Sequence, residues 1–142
     1  MVFFPVVTIV HELGHAFFVK IFGGEIFSIG FGSGKKIFKV KKFYVGSKVV
    51  LSGRVYWENE KKFHLHQSIL ILLGGILFNV VSASLIWFYG NIQYADLYRG
   101  YIIYSYFMAF VSLLPFTFSD GVRSDGLQII ELLKEKYISG KR

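Results

Sequence analysis

Cysteine is missing altogether from this 142-residue chain. Its absence excludes a disulfide framework and any thiolate metal site, so a metal held here must rely on histidine and carboxylate. Charge is scarce and one-sided, with nine acidic against sixteen basic side chains and only 18% charged residues in all. Two long stretches, 68–90 and 100–118, carry no charge whatever. What fills the space is apolar: 54% of residues are hydrophobic and 19% aromatic, high for a water-soluble domain. No internal repeat or low-complexity tract interrupts the chain, which reads as one domain over residues 1–142.

The apolar residues are gathered into three runs, 1–22, 68–90 and 100–118. A helix rising about 1.5 Å per residue over such a length approaches or reaches the roughly 30 Å of a bilayer core. The first run lacks the basic start and small-residue cleavage site of a secretory signal. It carries instead His11-Glu12-Leu13-Gly14-His15. On a helix, positions i and i+4 share a face, so His11 and His15 can offer two imidazoles to one metal ion. Glu12 is placed to reach a metal-bound water without joining the coordination shell. Ionisable groups inside a bilayer are costly and mark a site.

Charge placement sets an orientation. Ten of the sixteen Lys and Arg lie between Lys20 and Lys62, whereas the connection between the second and third runs holds only Arg99. The positive-inside rule then puts the long first connection and the C-terminus in the cytoplasm, and Met1 outside. A basic loop beside anionic lipid accounts for the net charge of +7, so no nucleic-acid partner is expected. Within that loop, residues 25–57 alternate in part and are punctuated by Gly30, Gly32, Gly34 and Gly46, the pattern of two to four strands in a small sheet. Residues 127–138 form an amphipathic helix at the cytoplasmic surface. His64-Leu65-His66 reads as interfacial surface. The expected fold is therefore membrane α-helical: three spans, a cytoplasmic β-sheet between the first two, and an amphipathic C-terminal helix.

Two histidines call for a third ligand. Pro115 should break or kink the third span. Beyond it come Ser119-Asp120-Gly121 and Ser124-Asp125-Gly126, either of which can turn a carboxylate back toward the histidines. A His₂Asp set leaves a fourth position open, as in catalytic zinc sites. Asn79 is a polar residue in an uncharged span, expected to face a cavity or a neighbouring helix.

Taken together, HELGH in a first span, a small β region, Gly74-Gly75-Ile76-Leu77-Phe78-Asn79 in the second and a Pro…Asp-Gly element after the third resemble the site-2 protease family, intramembrane zinc metalloproteases also called M50 peptidases. The resemblance implies a Zn²⁺ cofactor held by His11, His15 and an Asp, with Glu12 as the catalytic acid/base acting on zinc-bound water. Asp125 is favoured as the third ligand, because Asp125-Gly126-Leu127-Gln128-Ile129-Ile130 matches the family's D-G-x-x-I-L. Asp120, at the common family spacing from Pro115, is the alternative. The resemblance places Asn79, Ser112 (where the family's N-x-x-P has Asn) and Pro115 at the bound substrate. Gly75-Ile76 departs from the family's Gly-Pro. The implied activity is hydrolysis of a peptide bond in or near a transmembrane segment of a membrane protein, by a minimal family member in a bacterial plasma membrane, with self-association open. The alternative is a non-catalytic membrane metal-binding, transport or protease-like binding subunit, which would not need Glu12.

Overall fold

The computed structural model describes residues 3–40, 43–58, 63–118 and 121–139, with side-chain surroundings described over 3–30, 63–118 and 121–138. In chain order the elements are helix α1 (Phe3–Ile21), strands β1 (Glu25–Val40) and β2 (Phe43–Glu58), helix α2 (Leu65–Tyr89), a short 3₁₀ turn (Ile92–Tyr94), helix α3 (Ala95–Leu113) and helix α4 (Asp125–Ser139).

The polarity of α1 is inside out. Thr8, His11, Glu12 and His15 are buried together with Val7, Ala16 and Val19, at spacings of three and four that define one face. The opposite face exposes Val6, Ile9, Leu13, Phe17 and Ile21. In water this arrangement would strand a large apolar patch, whereas in lipid the apolar face is the solvated one. By length and composition α1 and α2 can each cross a membrane. Helix α3 opens with Asp96 and Arg99, is rich in Tyr, and falls short of that composition. The chain is a mostly helical membrane protein.

Helix α1 stops because Gly23 adopts φ 80°, a left-handed conformation that a side chain would disfavour. Gly24 N–H then donates to the Val19 carbonyl at 2.8 Å and Gly23 N–H to that of Lys20 at 3.0 Å, satisfying carbonyls the helix leaves open. That turn feeds β1 directly. Ile26 and Ile29 pack with Ala16, Val19 and Ile71, flanked by Phe18, Phe22 and Phe63, so the root of the sheet seats on the ends of α1 and α2. The β region is a two-stranded antiparallel sheet, matched from Glu25↔Glu58 at its root to Val40↔Phe43 at its far end, with register shifts between Ile26 and Phe38.

Helices α1 and α2 cross at glycine. A Cβ on Gly14 would overlap the Gly74 carbonyl, and one on Gly74 would stand 2.5 Å from the Gly14 carbonyl oxygen. Two backbones in direct contact are the small-residue packing of membrane helices. Helix α3 is tied to α2 by hydroxyl pairs, Ser82–Tyr101 and Ser84–Tyr106, each at 2.8 Å.

The uncharged stretch 100–118 is not one continuous helix. Helix α3 begins at Ala95 and ends at Leu113, because Leu114, preceding Pro115, is extended (φ −69°, ψ 135°). A proline disfavours helix in the residue before it. The chain then makes a tight reversal in which Thr117 bridges Arg123, Phe118 N–H donates to the Val122 carbonyl at 2.7 Å, and Gly121 takes φ 81°. The amphipathic segment starts at Asp125, two residues before its apolar pattern does. His64 and His66 are exposed and their rings stack at 5.7 Å.

Candidate metal centre

The reversal after Pro115 delivers Asp125 to the histidines. Ser124 caps α4: its Oγ accepts from Leu127 N–H at 3.3 Å and from Phe116 N–H at 3.2 Å, and donates to the Leu114 carbonyl at 2.6 Å. One hydroxyl therefore clamps the end of α3 to the start of α4. Gly126 lies so close to the Leu113 carbonyl that any Cβ there would overlap it. Asp125, in the first turn of α4, has its negative charge where the helix dipole favours it.

Three side chains from α1 and α4 converge. Asp125 Oδ2 lies 3.2 Å from His11 Nε2 and 3.7 Å from His15 Nε2. The ligand atoms of the three residues all fall within 4.8 Å of one another. The imidazoles stand edge to face, centroids 4.8 Å apart and planes at 82°. Both histidines are buried, and the Asp125 side chain is 13% exposed. Glu12 is buried on the same helix face.

The hydrogen bonds around the histidines decide whether this set suits a cation. His15 Nδ1 lies 2.7 Å from the carbonyl of Ile71 on α2. A carbonyl can only accept, so the ring proton sits on Nδ1 and the Nε2 lone pair faces Asp125. His11 Nδ1 lies 3.3 Å from Asn79 Nδ2, also on α2. Outer partners of this kind are what orient metal-binding imidazoles. Two imidazole nitrogens and one carboxylate oxygen, converging with no thiolate among them, fit a catalytic-type zinc site.

The remaining residues singled out in the sequence are placed as follows. Asn79 is fully buried against His11. Ser112 is buried in the last turn of α3, and Pro115 is exposed just beyond it. Asp120 lies outside the described residues. A cavity of about 310 Å³ between α2 and α4 touches Ile71, Arg123 and Glu131 but none of the three clustered side chains.

Sequence reasoning missed three features. The Ile71 carbonyl has no side-chain signal at all. Gly14 and Gly74 carried one, as small residues in apolar helices. Ser124 carried the clearest, a cap residue directly before a helix that opens with Asp.

The model of peptidase family M50 matches residues 1–95. The chain belongs to that family. The matched stretch holds His11, Glu12, His15 and Asn79, while Asp125 lies beyond it. This M50 member is similar to the uncharacterized membrane protein YwmF of Bacillus subtilis (strain 168), with 27% identity over 142 residues that cover 96% of this chain and 89% of the relative. No solved structure matches it. M50 members are zinc metalloproteases of membranes, and both the inside-out helix α1 and the buried His₂Asp cluster agree with that class.

Proposed function

We propose that this M50 member is an intramembrane zinc endopeptidase, hydrolysing a peptide bond in or near a transmembrane segment of another membrane protein. The observation that carries the reading is the meeting of His11 and His15 with Asp125, a residue 114 positions from His11 in the chain. In this reading His11 Nε2, His15 Nε2 and Asp125 hold the metal and leave one position free. When bound, zinc supplies Lewis acidity, polarising a carbonyl and lowering the pKa of water to roughly 7. Glu12 takes the proton of the attacking water and hands it to the leaving amine. Asn79, Ser112 and Pro115 line the path of the substrate strand, which must unwind locally to present its carbonyl.

The bundle crosses the bilayer three times, α3 being the third span. Burial along α3 supports this: Tyr101, Ser105 and Ser112 face inward, while Phe107 and Phe110 are 56% and 62% exposed on the outer face. The concentration of Lys and Arg between Lys20 and Lys62 supports an N-terminus outside, with the sheet and C-terminus in the cytoplasm. A bacterial relative supports a bacterial plasma membrane. Self-association of so small a bundle belongs to the same reading.

Glu12→Gln is the deciding variant. It should bind about one zinc per chain, as a catalytic-type site requires, and lose cleavage of a transmembrane reporter. Full cleavage by Glu12→Gln would refute the mechanism. A metal-binding subunit without activity would show zinc in both proteins and cleavage in neither. Zinc contents of His15→Ala, Asp125→Asn and Asp120→Asn identify the ligands: loss in His15→Ala and Asp125→Asn with retention in Asp120→Asn is expected.

A further inference from the structure

The two histidines differ in what holds the nitrogen turned away from Asp125. For His15 it is a main-chain carbonyl, that of Ile71, and the tautomer is fixed. For His11 it is the side-chain amide of Asn79, from a residue 68 positions away on α2. An amide can present a donor or an acceptor, so it does not fix a tautomer by itself. Asn79 is fully buried, and its Oδ1 has no hydrogen-bond partner.

Two arrangements of this pair are self-consistent. With Asn79 Nδ2–H donating to His11 Nδ1, the ring proton sits on Nε2 and is donated to Asp125 Oδ2 at 3.2 Å. That arrangement suits an empty site and leaves Nε2 no lone pair for a cation. With the amide turned over, Oδ1 accepts a proton on Nδ1 and the Nε2 lone pair is released toward Asp125. The turn exchanges two atoms of nearly equal size, so it needs no extra volume, and it moves the unpartnered position from Oδ1 to Nδ2.

Building on the metal-site reading above, we infer that Asn79 is the positioning residue of His11, its amide turning over as metal enters so that Oδ1 holds the Nδ1 proton. The metal-loaded site then has matched supports, a carbonyl oxygen behind His15 and an amide oxygen behind His11.

The test uses the full chain in detergent, with zinc affinity measured by chelator competition for wild type, Asn79→Asp and Asn79→Leu. Nitrogen-15 spectra of histidine-labelled wild type are recorded with and without zinc. Aspartate can only accept, so Asn79→Asp should bind within about threefold of wild type, whereas Asn79→Leu, which removes the outer partner, should lose about 10- to 100-fold. In wild type the His11 proton should move from Nε2 to Nδ1 on zinc loading. Asn79→Leu binding as tightly as wild type, or Asn79→Asp losing as much as Asn79→Leu, overturns the inference and leaves the metal site standing. Wild type that binds no zinc overturns both. Should either variant fail to fold, the wild-type spectra decide, and an unprotonated His11 Nδ1 in the loaded protein overturns the inference.

Discussion

Replacing Gly75 with alanine separates the geometry of the site from the stability of the bundle. The His11 ring lies across Gly75, and a Cβ there would stand 2.6 Å from both Cε1 and Nε2. Ordinary contact begins at 3.4 Å, so the ring must retreat by about 0.8 Å. The obstacle is the end of a side chain, which can swing aside, so the fold is little disturbed. Alanine also favours helix over glycine by about 1 kcal/mol, which offsets part of the crowding. The ligand atom has no such latitude: metal bonds in good sites hold to about ±0.2 Å, and the required shift is about four times that. Zinc affinity should therefore fall by more than the roughly 10- to 100-fold of a lost outer partner, that is, by more than about 1.4–2.7 kcal/mol. Chelator competition gives the affinity, and thermal unfolding of the zinc-free protein gives the stability. Wild-type zinc affinity in Gly75→Ala would refute the assignment of His11 Nε2 as a ligand.

Two further substitutions probe the frame around the site. Gly14→Ala meets main chain rather than a movable ring, so α1 and α2 must separate and the bundle should lose about 1–3 kcal/mol, read by thermal unfolding in detergent. Ser124→Ala removes the cap of α4 and the clamp on Leu114 together; a loss of about 1–2 kcal/mol with weakened zinc binding is expected, and unchanged zinc affinity would show that the clamp does not hold Asp125 in place.

The sequence made some of this architecture legible and left some of it hidden. The approach of His11 and His15 follows from helical spacing alone. The sheet between the first two helices follows from alternation and glycine punctuation, and the break at Pro115 from the chemistry of proline. What was hidden depends on contacts between distant positions. Ser119-Asp120-Gly121 and Ser124-Asp125-Gly126 are the same tripeptide signal, told apart in the sequence only by the residues that follow Gly126; the contacts of Ser124 with residues 114 and 116, which hold Asp125 beside the histidines, had no local trace. The partner of Asn79 was equally out of reach, since nothing near residue 79 points to residue 11. The run 100–118 did not reveal where α3 begins, because Ala95–Arg99, with Asp96 and Arg99, lies outside the uncharged stretch and yet continues the same helix.

The glycine crossing also dictates traffic. With Gly14 and Gly74 in main-chain contact, helices α1 and α2 leave no gap at their crossing. A third polypeptide cannot pass between them without prising apart the pair that holds both imidazoles. Asp125 instead reaches the histidines from the reversal after Pro115, which Ser124 fastens through its hydroxyl to Leu114 and Phe116 and through its N–H to the Phe116 carbonyl.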